Sequence, residues 1–122
     1  MPGADFQHLR LSMVKDVAVV EFRTRDLQGP MLAQELGTEL ALVAAQEWAR
    51  RLLVNFRRVT YVSSTGFAAL FKRVGRARAE GREVKLCGMG NGVRLGAEII
   101  GLQKLVEIHD DEAAALRTFA RA

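Results

Sequence analysis

A chain of 122 residues, 49% hydrophobic and 26% charged, is long enough to bury about two thirds of its unfolded surface in one domain and too apolar for a disordered or collagen-like polymer. Its net charge of +4 invites a nucleic-acid role, but the basic residues from Arg50 to Arg82 are scattered over helix ends and loops without interleaved aromatics, which argues instead for a solvated basic surface. A lone cysteine, Cys87, excludes an internal disulfide framework; with no leader-like start and no run of about 18 apolar residues, the expectation is a cytoplasmic protein without membrane insertion.

In chain order, LRLSMV and VAVVEFR are β-prone runs separated by Lys15-Asp16. They predict an opening hairpin, although neither turn residue is the glycine that tight turns prefer. After Asp26-Leu27-Gln28-Gly29-Pro30, the spacing of Leu32, Leu36, Leu40 and Val43 predicts an amphipathic helix running toward Trp48. Gly37 costs that helix about 1 kcal/mol relative to alanine, which burial of the stripe offsets. RLLVNF is short and nearly all apolar, the composition of a central strand covered on both faces.

A helix over about 65–80 puts Phe67, Leu70, Phe71, Val74 and Ala77 on its buried side and Lys72, Arg73, Arg76 and Glu80 outside, with Gly81 as a left-handed cap. EVKLC repeats the short strand and ends in Cys87, read as a small buried hydrophobe. The loop GMGNG leads into a helix carrying Val93, Ala97 and Ile100 and ended by Gly101; LVEIH is a further strand, and a final helix covers 110–121. Strands alternating with helices imply parallel pairing through right-handed crossovers, and the hairpin makes the sheet mixed. The expected fold is therefore α/β, a mixed central β-sheet with about four helices, in a single domain over 1–122.

The chemistry-bearing residues are few. A nucleophilic triad needs a base beside its nucleophile, and the two histidines, His8 and His109, lie near the N-terminus and at a strand end. In His109-Asp110-Asp111-Glu112, a cap from Asp110 or Asp111 explains the acids better than metal ligation. Gly88, Gly90 and Gly92 give G-x-G-x-G, but Val93 occupies the third glycine position of the dinucleotide fingerprint and no P-loop lysine follows, so the loop reads as a turn that lets a helix pack closely. The expectation is no enzyme, no metal and no cofactor.

YVSSTGFAAL remains, with Ser63, Ser64 and Thr65 in succession at a helix start. Ser63 or Ser64 would cap the helix by accepting an amide hydrogen bond, worth about 1 kcal/mol, and on chemistry alone capping is the stronger account. Three hydroxyls exceed that need. The positive end of the helix favours a negative group, and a phosphate on Ser64 would add about −1.5 to −2 charges at neutral pH, enough to switch binding without refolding the domain.

The stretch LLVNFRRVTYVSSTGFAALFKRVGRARAEGREVKLCG resembles the STAS domain, the fold of bacterial anti-sigma factor antagonists, in which an apolar strand ending in Asp or Asn precedes a loop and an Asp-Ser-Ser/Thr-Gly helix start. The similarity runs from about residue 9 to 119. It takes in RTRDLQGPML, which resembles the family's Gly-Glu-Leu-Asp segment, and IIGLQKLVEIHDDEAAAL, which resembles its last strand and acidic-start helix. Ser63 stands where the family usually has Asp, and Ala68 where it often has a second glycine.

The resemblance implies that Ser64 is a phosphoacceptor, modified by a partner that is both serine kinase and anti-sigma factor and restored by a phosphatase. It implies a module of transcription regulation and signal transduction that binds that partner when unphosphorylated, with Asp26, Asn55, Ser63, Thr65, Gly66 and Phe67 near the contact surface. The alternative is a non-switching STAS subunit of a stressosome-like scaffold or of a lipid-transport ABC complex. A homo-oligomer is compatible with either.

Overall fold

The computed structural model describes residues 6–119. In chain order these form β1 (Leu9–Val14), β2 (Val17–Phe22), β3 (Asp26–Leu27), α1 (Pro30–Ala44), a 3-10 turn (Glu47–Ala49), β4 (Arg51–Asn55), β5 (Tyr61–Val62), α2 (Ser64–Ala79), β6 (Glu83–Cys87), α3 (Asn91–Ile99), α4 (Leu102–Leu105), β7 (Ile108–His109) and α5 (Glu112–Leu116). The hairpin forms without a turn glycine because Lys15 itself takes a left-handed φ of 55°, at a cost of about 1 kcal/mol for a non-glycine residue.

β1 and β2 are antiparallel, and β2, β4, β6 and β7 pair in parallel, giving a mixed five-stranded sheet in the order β1-β2-β4-β6-β7. Alternation along β2 decides which side each residue serves. Ala18, Val20 and Phe22 join Leu52, Val54, Val84 and Leu86 beneath the apolar stripes of α1, α2 and α3. Val17 and Val19 join Leu53 and Cys87 on the opposite face, beneath Ala115 and Phe119. Covering on both faces explains why the middle of β4, Leu52 to Val54, is apolar. Gly37, on the buried side of α1, lets Arg73 of α2 lie against the helix backbone: a β-carbon there would meet Arg73 Nε at 3.0 Å.

Several expected boundaries shift. The first helix stops at Ala44, and Trp48 lies in the separate 3-10 turn. LVEIH contributes only Ile108 and His109 to the sheet. Gly101, at φ 83°, ends α3 and restarts the chain as α4, which turns Leu102 fully into the core, so Leu105 is helical rather than extended. The last helix is confined to Glu112–Leu116 within the described residues, and 120 and 121 fall outside them. Asp111, not Asp110, is its cap: Oδ1 accepts the Ala114 amide at 2.8 Å. Among the described residues five α-helices form where about four are expected, and a second, two-stranded parallel sheet joins β3 to β5. No helix among the described residues is long and apolar enough to cross a membrane.

Candidate partner-binding site at the start of helix α2

The small sheet sets the geometry. Asp26 pairs with Tyr61 and Leu27 with Val62, and the Leu27 carbonyl then accepts the Ser63 amide at 2.9 Å and the Ser63 hydroxyl at 3.3 Å. Ser63 Oγ in turn accepts the Gly66 amide at 3.1 Å, so Ser63 is the N-cap of α2. Its hydroxyl both donates and accepts inside the protein. Gly66 is required at this position, because a β-carbon would lie 2.5 Å from the Leu27 oxygen, well inside van der Waals contact.

The hydroxyl triplet is thereby divided. Ser64 and Thr65 are exposed, and the Ser64 hydroxyl forms no hydrogen bond with any described residue. It projects from the first turn of a helix whose leading amides have no intrahelical partners and whose first turn holds no acidic residue. Asp26 is exposed on the neighbouring strand and accepts the Thr60 hydroxyl at 3.5 Å. Gly66 and Phe67 are brought to the same place but are buried, so they support the surface rather than present it.

Asn55 does not join it. This side chain, 3% exposed, donates to Glu112 Oε1 at 3.0 Å and accepts the Arg57 amide at 2.9 Å. Its amide oxygen holds the turn after β4, and its amide nitrogen ties that turn to the start of α5. The start of α5 and the backbone of Gly88 close over the end of β4, which is why a position expected at the surface lies inside.

Residues outside the expected set complete the surface. A groove of about 610 Å³ runs from Ser64 between α2 and α3. Phe67 forms part of its floor, and Phe71, Tyr61, Ile99 and Ile100 stand along its walls. Phe71 is 40% exposed, contrary to its expected burial. Leu70, Val74 and Ala77 already fill the core-facing stripe of α2, and Phe71, one residue past Leu70, is rotated to the edge of the groove. Position 71 is seven residues after Ser64, so the same helical period that misplaced it could have paired it with the hydroxyl. Gly96 keeps the floor low, since a β-carbon there would fall 2.6 Å from the Phe67 ring.

A second concavity, of about 740 Å³, lies where β4 and β6 end. Asn55, Arg57 and the Gly88–Gly92 loop line one side, Asp110, Asp111 and Glu112 the other. Gly88, at φ 77°, brings its backbone so close to Asn55 that a β-carbon would meet Oδ1 at 2.5 Å. The loop is thus a close-packing turn, as its failed phosphate-binding spacing suggests. Behind it, Cys87 has its thiol pushed up to about 12 by burial and then by the nearby carboxylates of Glu112, Asp111 and Glu21, which leaves it protonated and unreactive at neutral pH. Beside β4, the largely buried Glu21 pairs with Arg57 at 2.8 Å and Arg58 at 2.9 Å, fixing the loop that leads toward β5.

This order of elements, with a hydroxyl-capped helix start between the second and third parallel strands of the sheet, has matches among known proteins. The STAS domain profile matches residues 26–115. The chain belongs to the STAS family. A crystal structure of a putative anti-sigma factor antagonist from Thermotoga maritima superposes with a TM-score of 0.78 at 14% identity, covering 93% of this chain and 95% of that one. The Bacillus cell fate determinant SpoIIAA in its phosphorylated form gives a TM-score of 0.66 at 17% identity, covering 91% and 99%. The STAS domain of a SulP transporter from Vibrio cholerae gives 0.67 at 21% identity, covering 86% and 81%. At these identities the likeness is one of fold, shared by a protein described as an anti-sigma factor antagonist and by a domain of a SulP transporter.

Proposed function

We propose that this STAS protein is a cytoplasmic, phosphorylation-controlled binding module of the anti-sigma factor antagonist type, with Ser64 as phosphoacceptor and with no catalytic role of its own. One observation supports the reading above the others: Ser63 performs the capping, so the exposed Ser64 hydroxyl, unbonded at the positive end of α2, is left without a structural task. Asp26, Thr65 and the groove beside Ser64 form the contact surface, held from below by Ser63, Gly66 and Phe67. Asn55 acts behind it, by holding the turn after β4. In this reading an anti-sigma factor with serine kinase activity binds the unmodified protein, transfers phosphate to Ser64 and is released, and a phosphatase resets the module. A SpoIIAA structure in phosphorylated form shares the fold.

The test is capture of an anti-sigma factor kinase from cell extract by unmodified protein, with mass spectrometry of Ser64 before and after incubation with ATP. The expected result is capture by wild type and Ser64→Ala, loss of capture by Ser64→Glu, and phosphate on Ser64 alone. Equal capture by all three, with Ser64 unmodified, would overturn the switch. A second reading, a non-switching subunit of a scaffold or a transporter complex, draws on Ser63 in place of the family's acidic residue and on the SulP domain of the same fold. It predicts recovery of a transporter subunit or a large homologous assembly in the same capture.

A further inference from the structure

We propose that the groove beside Ser64 takes an acidic amphipathic segment of the partner protein, its apolar side chains against the groove and its carboxylates toward Lys72 and the opening turn of α2. The inference rests on the reading of Ser64 as a regulated contact residue, and it gives that contact a chemistry. Ser64, Ala68, Phe71 and Lys72 stand at i, i+4, i+7 and i+8, so they share one stripe of α2 that spans about 12 Å at 1.5 Å per residue. Ile99, 75% exposed, and Tyr61, 50% exposed, face this stripe across the groove. Apolar side chains gathered in a cleft, rather than scattered singly, mark a binding surface.

Apolarity does not name the occupant, but charge does. Between Ser64 and Ala79, α2 carries Lys72, Arg73, Arg76 and Arg78 and no acidic residue. Lys72 is the one charged side chain lining the groove among the described residues. At the other end of the stripe the uncompensated first turn of α2 adds the positive end of the helix dipole. Lys72 at one end of the stripe and the leading amides of α2 at the other, with the exposed Asp26 on the strand beside that head, offer two positive points complementary to carboxylates on a segment that also has an apolar face. A bilayer surface fits less well, because Phe67 lies at the bottom of a recess that Gly96 keeps open instead of projecting as a membrane anchor would. Phosphate on Ser64 would place about −1.5 to −2 charges at the head of the same stripe, reverse its sign and repel the segment.

The experiment follows amide chemical shifts of isotopically labelled protein during titration with two synthetic helical peptides that share one leucine face and differ only in carrying glutamate or lysine on the polar face. The glutamate peptide is expected to shift Ala68, Phe71, Gly96 and Ile99, with affinity falling at least about tenfold in Ser64→Glu and falling also as salt is raised. Lys72→Glu should reverse the preference toward the lysine peptide, and Ile99→Ser should abolish binding with an unchanged melting curve. Equal binding of both peptides by wild type, or shifts confined to other surfaces, would overturn the proposal. So would sedimentation showing a second copy seated in the groove, or Ile99-dependent binding to anionic vesicles without peptide binding. The two readings fail separately. A groove that selects the glutamate peptide while Ser64 is never phosphorylated sinks the switch and keeps the docking chemistry; phosphorylated Ser64 beside a groove indifferent to both peptides does the reverse.

Discussion

Helices α2 and α3 both begin at the end of the sheet where β4 and β6 stop, yet their first turns are built in opposite ways. At α2 a side chain closes the helix: Ser63 caps it and Gly66 admits the Leu27 carbonyl. Ser64, freed from both tasks, faces solvent. At α3 the cap residue is Gly90, which has no side chain to offer, and Asp110, Asp111 and Glu112 stand across the concavity. These carboxylates oppose an anion at the glycine-rich loop, offset in part by Arg57 in the same concavity and by Arg94, which pairs with Asp110. In the proposed reading, a helix start can serve as a regulatory position when capping and exposure fall on different residues, not merely when amides are free.

The largest predicted effect separates the two turns by glycine replacement. Gly66→Val drives side-chain carbon into the Leu27 carbonyl and should cost about 3 kcal/mol or more, whereas Gly90→Ala, with open space around it, should cost under about 1 kcal/mol. Urea unfolding measures both, and similar losses would mean the turns are packed alike. Gly88→Ala comes next, at about 2 kcal/mol, since its left-handed backbone and the Asn55 oxygen act together. Ser63→Ala should lose about 1 kcal/mol as a cap, and Ser64→Ala should stay within about 0.5 kcal/mol. Equal losses from the two serines would break the division of labour on which the comparison stands. Smallest is a pH effect far from both turns. Glu107, hydrogen-bonded first to His109 and also to Lys85, is held below its ordinary value of 4.5. A depressed folded value stabilises above the unfolded one and is lost as pH falls through the folded one. Glu107→Gln should therefore slightly flatten the acid limb of stability below about pH 4.5, visible as a smaller drop in melting temperature on acidification.

The parts of the molecule legible in the sequence are those where burial follows a repeating period. β2, β4 and β6 announce themselves as short apolar runs, and the stripes of α1 and α2 as three-and-four spacings. Shorter elements escape, because two-residue strands have no period: β3 and β5 are joined by the Arg25 carbonyl, which accepts the Thr60 and Tyr61 amides, and by the Leu27 carbonyl with its bonds to Ser63, which pattern alone does not encode. The same limit applies at the site. SSTG marks the right turn, but which serine caps depends on where the Leu27 carbonyl lies. Phe71 reads as core because its spacing from Phe67 and Val74 is helical, but Leu70, Val74 and Ala77 already fill the core-facing stripe and leave it at the edge of the groove. Asn55 reads as a surface residue from the family pattern, yet Glu112 of α5 and the Gly88 backbone close over it.

The carbonyl of Leu27 links the head of α2 to a chain segment 36 residues earlier. Ser64 is consequently displayed on a folded platform and not on an extended strip of chain. If Ser64 is modified as proposed, the enzyme must read shape contributed by β3, β5 and α2 together, and a synthetic fragment copying only the residues around the serine would be a poor substitute for the intact protein.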